Sequence, residues 1–169
     1  LILRFAPDRD FRQWRFREDL AGSQAWRSIA TRAYPSRRSP MGARKRWHSR
    51  NNQLVANEVA EAGKADSWLM EGVYGWLANV VLHRATTLIW IDLPEEECIA
   101  NVKERGIQGG GSEEAFQELL NWIAEYRLRN NSSCFAAHSQ LFEAFVGPKF
   151  LLKSRIEIGT YLDDVSRNC

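Results

Sequence analysis

Hydrophobic positions follow a regular period only in the second part of the chain. From Gln53 to Ala62, Leu54, Val55, Val59 and Ala62 recur at helical steps, and Gly63 is a natural C-cap. Trp68-Leu69-Met70 is a short apolar run ending in Glu71-Gly72, which predicts a buried strand. A short helix separates it from Thr87–Ile91. That segment is continuous, apolar and rich in β-branched residues, as a strand covered on both faces should be. Beyond Asp92-Leu93-Pro94, three glutamates fill the first turn of a predicted helix that runs to Arg105 and stops at Gly106. After a glycine-rich loop, Ser112 can cap a helix from Glu113 to about Leu128, with Phe116, Leu119, Leu120 and Ile123 on one face. A further helix is predicted over Cys134–Phe145 and a last strand over Phe150–Leu152. Ser154 and Glu157 form a capping box that opens a helix to about Leu162.

Strands alternating with helices predict an α/β fold: a three-layer parallel sheet flanked by helices. Such sheets bind ligands at the carboxyl ends of their strands, which places Glu71, Asp92 and Ser154 near any site. Glu71 is positioned either to hold Mg²⁺ through water or simply to bond a loop. Asp92 is expected to cap the helix that follows it. Arg105, Arg127 and Arg129 end the two helices on either side of the glycine-rich loop. Arginines converging from such a hairpin suit phosphoryl transfer, where they neutralise charge on the transferred group. The plainer reading is solvated cations at helix ends. His48, His83 and His138 show no ligand spacing, and each is expected on the surface or in the core.

Charge changes the picture of the first third. Residues 1–50 carry thirteen Lys/Arg against four acids, whereas residues 51–169 carry ten against seventeen. The chain opens on Leu1 and its first methionine is Met41, so Leu1 is not expected to be a natural start. The 169 residues suit one domain, and no apolar run approaches the ~20 residues of a membrane helix. Three scattered cysteines make neither a metal motif nor a disulfide framework, which favours a reducing cytoplasm.

Several segments carry a family resemblance. Ser67–Gly75 resembles the third-strand segment of adenylate-kinase-like P-loop kinases, where an apolar strand ends in an acid and glycine. Ala85–Gly106 is similar to the next unit of that family, a strand ending in Asp-x-Pro and then a helix ending in Arg-Gly. Arg127 and Arg129 match the return helix of the family's lid, and Lys149–Leu162 resembles its last strand and helix. The resemblance spans about residues 53–162 and is nearest to small bacterial kinase-like proteins. It implies ATP and Mg²⁺ as cofactors, with Glu71 organising the metal through water. It also implies Arg105, Arg127 and Arg129 as phosphate contacts, and a nucleotide or other small molecule as phosphate acceptor. Adenylate kinases carry an arginine shortly after the acid-glycine pair; Tyr74, Gly75 and Trp76 stand there instead, so an adenylate acceptor is not implied.

Such a kinase opens with a strand and a G-x-x-x-x-G-K-[ST] phosphate loop. Residues 1–52 have no such motif and are expected to lack both the strand and the loop. A glycine codon read one base early becomes NGG, which encodes Arg, Trp or Gly. Shifted by one base, Pro7–Ala21 can be read as R-I-V-I-S-G-N-G-G-S-G-K-T-W-L, a strand followed by a complete phosphate loop. That loop would be encoded across Arg12, Arg17, Glu18 and Asp19. Tyr34–Trp47 can likewise give I-H-L-D-A-x-x-W-E-P-G-x-G-G. Residues 1–52 are therefore expected to be a frame-shifted, non-native segment preceding a kinase-like domain at 53–165, and the chain as it stands is expected to be weak or dead as a kinase. The alternative is a non-catalytic protein that binds nucleic acid through an arm of thirteen cations interleaved with Trp14, Trp26 and Trp47.

Overall fold

A computed structural model describes residues 1–5, 51–107 and 111–167. Four strands form one sheet: β1 (Ile2–Phe5), β2 (Trp68–Glu71), β3 (Thr87–Ile91) and β4 (Lys149–Leu152), in the spatial order β2-β1-β3-β4. The described helices are α1 (Asn52–Ala62), α2 (Gly75–Val81), α3 (Glu95–Arg105), α4 (Glu113–Ala124), α5 (Phe135–Ala144) and α6 (Arg155–Arg167). No described helix is long and apolar enough to cross a membrane.

β3 and β4 are parallel, and β1 is antiparallel to both β2 and β3. Hence β2, β3 and β4 run in one direction and β1 runs against them. Two expectations need correction: the sheet is mixed rather than parallel, and a strand is present at the N-terminus. Without β1, the facing N–H and C=O groups of β2 and β3 would lack ladder partners. Ile2 and Leu3 suit that slot, and Leu3 is only 1% exposed. Residues 6–50 of the basic segment, Arg12, Arg17, Glu18 and Asp19 among them, lie outside the described residues.

Side chains alternate across the sheet. Leu3, Trp68, Met70 and Leu88 join Val55 and Val59 of α1 and Leu77, Ala78 and Val81 of α2 in one buried cluster. Trp90 meets Phe135 and Phe142 of α5 at ring-centroid distances of 5.2 and 5.7 Å. Ile89 and its register partner Phe150 point the other way, and Phe150 packs on Tyr161 of α6 at 4.9 Å. Each fully buried apolar side chain contributes ~1.5–3 kcal/mol.

Capping chemistry sets the helix boundaries. Asn51 Oδ1 accepts from the N–H groups of Gln53 and Leu54 at 2.8 and 3.3 Å, and Ser112 Oγ accepts from Ala115 N–H at 3.2 Å. At α6, Ser154 Oγ accepts from Glu157 N–H at 3.2 Å, while the Glu157 carboxylate accepts from Lys153 N–H at 2.6 Å. The predicted helix to Leu128 ends early, at Ala124. The N–H groups of Leu128 and Arg129 both turn back to the Glu125 carbonyl at 2.9 Å. Arg127 and Arg129 therefore sit on a tight turn after α4, not on its last turn.

Candidate functional site

Glu71 and Asp92 follow the same sheet edge, because β2 and β3 share a direction. Gly72 comes next after β2 with φ of 143°, a backbone region that an L side chain rarely adopts. Gly75 opens α2 where the Ser132 carbonyl approaches so closely that a Cβ would collide with it. The β2–α2 turn is thereby pressed against the loop that leads into α5.

Asp92 is 7% exposed and does not cap α3, whose cap position is Pro94 with no side-chain cap bond. It accepts instead from Arg127 Nη2 at 2.7 Å, and Glu95 in the first turn of α3 accepts from Arg127 Nη1. Burial works against the Arg127 charge, but the carboxylates of Glu95 and Asp92 outweigh it, and the pKa is raised. Arg127 thus ties the turn after α4 to the end of β3.

Tyr126 and His138 form a second tie. His138 is 2% exposed; its Nε2 lies 3.0 Å from the Val73 carbonyl and its Nδ1 lies 2.7 Å from the Tyr126 hydroxyl. A carbonyl can only accept, so Nε2 carries the proton and Nδ1 accepts from the tyrosine. Burial, chiefly, lowers the His138 pKa to about 4 and raises that of Tyr126 to about 12, so both are neutral at pH 7.

These groups border a cavity of about 200 Å³ at the ends of β2 and β3. Leu1, Val73, Trp90 and Ile91 line it, and Trp122 and Arg129 reach it from α4 and its following turn. The Arg129 guanidinium lies over the Trp122 ring, 3.7 Å from its centroid, and Nη2 donates to the Ser133 carbonyl at 3.2 Å. Its Nε and Nη1 are shut from water and have no acceptor. Burial lowers the Arg129 pKa, yet an arginine remains charged.

Of the residues expected at a site, the structure brings Asp92, Arg127 and Arg129 together. Glu71 is exposed at the same edge but does not line the cavity. Arg105 lines a different cavity of about 370 Å³ between α3 and α4, with Gly106, Ile107, Ser112 and Phe116. Ser154 is spent on capping α6. Tyr126, His138 and Trp122 were not legible as site residues. Tyr126 and His138 are twelve positions apart, on a turn and a helix, in no motif spacing.

The described residues contain no G-x-x-x-x-G-K-[ST] sequence. Ile2 pairs with Glu71 and Phe5 with Trp68, so the chain leaves β1 at the edge opposite Glu71 and Asp92. Nor do the described residues include a group of three or more His, Cys, Asp or Glu that could hold a metal ion. A scan against protein-family models, a search of curated proteins and a search of solved structures each found no match to this chain.

Proposed function

We propose that residues 53–162 are the remainder of an ATP-dependent small-molecule kinase of the adenylate-kinase-like type, and that this chain is impaired because its phosphate loop is out of frame. The observation that carries the proposal is the convergence at one sheet edge. Glu71 and Asp92 end strands of equal direction, and the turn after α4 returns Arg129 to that edge with two unused donors. Preorganised donors aimed at phosphate oxygens are the main contribution a protein makes to phosphoryl transfer.

The arginines divide the work differently from the resemblance alone. Arg127 is held by Asp92 and Glu95, so its role is to fix the turn. Arg129 is the member with unused donors, left to hold an anionic oxygen of the acceptor. Three-layer parallel architecture belongs to the in-frame protein, in which a strand of the same direction as β2 and β3 would carry the loop to the Glu71 edge.

The test is to sequence the coding DNA across codons 1–60 and to make the version with residues 1–52 replaced by the one-base-shifted translation. Calorimetry should show Mg-ATP binding to the restored version and little to the present chain. Removing one preorganised donor costs ~3 kcal/mol of transition-state stabilisation, or about a hundredfold in rate, so the present chain should turn over almost nothing. A folded, restored version that fails to bind Mg-ATP would overturn the kinase reading.

A further inference from the structure

The polar groups around the 200 Å³ cavity nearly all satisfy one another: Tyr126 bonds His138, His138 bonds Val73, and Arg127 ties both Asp92 and Glu95. Cys98 is a neutral thiol, its pKa raised by burial and by Glu95. One cation is left over. Arg129 makes a single bond, to the Ser133 carbonyl, and its Nε and Nη1 find no acceptor. A buried donor without an acceptor costs ~1–3 kcal/mol, and more when charged, so a guest that brings an anionic oxygen is favoured.

The walls define the rest of the guest. Trp90, Ile91, Leu93, Trp122 and Ile123 make most of the lining apolar. A dry apolar cavity of ~150 Å³ holds benzene, so about 200 Å³ suits one six-membered ring with a compact substituent. Trp90 meets His138 edge-on at 6.5 Å and 80°, and Tyr126 meets His138 at 5.6 Å and 44°. A planar ring seated among aromatic side chains gains from them beyond its buried area. His138 is neutral, Arg127 neutralises Asp92 and Glu95, and the Leu1 ammonium donates to the Gly72 carbonyl, which leaves Arg129 as the lining cation with unused donors.

We propose that this cavity binds a single aromatic ring bearing one carboxylate, with the ring against the tryptophan walls and the carboxylate on Arg129. The guanidinium has to turn within the wall for the anion to reach Nε and Nη1, which a side chain with so much rotamer freedom does readily. A hydroxyl on such a ring would take the γ-phosphoryl group of ATP, releasing ADP and the hydroxyl proton, a step that rests on the kinase reading; binding itself needs neither ATP nor the phosphate loop.

Calorimetry on the full chain at pH 7.5 tests this with benzoate, benzyl alcohol, cyclohexanecarboxylate, phenyl phosphate and inorganic phosphate. Benzoate should bind, with benzyl alcohol and cyclohexanecarboxylate each weaker by roughly tenfold or more and inorganic phosphate without effect. Arg129→Met should erase the preference for benzoate over benzyl alcohol while the circular dichroism stays unchanged. Should that variant unfold, the selectivity series on the unaltered chain still decides. Equal affinity for benzoate and benzyl alcohol, or no heat with benzoate, overturns the proposal. Phenyl phosphate binding tenfold tighter than benzoate overturns the choice of carboxylate. A restored version that transfers phosphate while neither version binds benzoate sinks this inference alone. Benzoate binding by a restored version that does not bind Mg-ATP sinks the kinase reading alone.

Discussion

Arg127 Nη2 reaches Asp92 Oδ1 at 2.7 Å across thirty-five positions of chain, joining the turn after α4 to the end of β3. Asp92 is almost fully buried and Arg127 is the described partner of its carboxylate, so losing the guanidinium strands a charge. Because the Arg127 side chain is 39% exposed, water screens part of the interaction. Arg127→Ala should therefore cost about 1–2 kcal/mol, less than a fully buried pair would. That corresponds to a fall of roughly 2–8 °C in Tm for a chain of this size, which a thermal melt would show. Asp92→Asn should recover part of the loss when combined with Arg127→Ala, since it removes the stranded charge. A double variant no better than the single one would mean the pair does not act as a unit.

His138 should make stability fall with acid. Its pKa in the folded chain is lowered from 6.5 to about 4, chiefly by burial. Between those values the unfolded chain binds a proton that the folded one refuses. The stability from the neutral imidazole is therefore complete above pH 6.5 and is lost as the pH drops towards 4. The loss attributable to this residue is about 2–3 kcal/mol. Urea midpoints at pH 7.5 and 4.5 should separate widely for the unaltered chain and much less for His138→Gln. Equal separations would place the acid sensitivity elsewhere.

Tyr126→Phe should remove the hydroxyl and leave His138 Nδ1 buried without a donor, costing about 1–3 kcal/mol. The same substitution should raise the histidine's freedom to exchange tautomers, visible in its ring nitrogen shifts. Unchanged nitrogen shifts would mean the 2.7 Å contact does not set the tautomer.

Leu3→Ala tests β1. A leucine 1% exposed, in the centre of the sheet, should cost roughly 2–5 kcal/mol on truncation. A change below about 0.5 kcal/mol, the range of surface substitutions, would show that Ile2–Phe5 is not docked between β2 and β3.

The parts of the fold that were legible in sequence are those fixed by local chemistry. Thr87–Ile91 reads as a buried strand because every residue in it is apolar or β-branched, and it is one. The α6 capping box is a spacing of three residues: Ser154 Oγ accepts from Glu157 N–H as expected, while the Glu157 carboxylate accepts from Lys153, one position before the cap. The shared edge of Glu71 and Asp92 follows from strand alternation and holds even though the sheet is mixed. What failed depends on contacts between distant segments. Asp92 before a proline looks like a cap, yet an arginine thirty-five positions later takes it. Tyr126 and His138 carry no spacing that announces them, since a turn and a helix bring them together. β1 was missed because four residues ahead of an arginine-rich segment give no pattern, and only the open slot between β2 and β3 makes a strand of them.

The direction of β1 has a consequence for any attempt to rebuild a phosphate site in this chain. The slot between β2 and β3 has room for one strand, and Ile2–Phe5 fills it pointing away from Glu71. A loop that follows Phe5 directly begins at the end opposite Glu71, and no change of residue type within β1 alters that polarity. A strand of the opposite sense must compete for the same ladder of hydrogen bonds, and Ile2–Phe5 must be expelled for it to win. Adding such a strand while Ile2–Phe5 is retained would turn amide exchange at Leu3 from protected to open, reporting the exchange of one strand for another before any nucleotide is added.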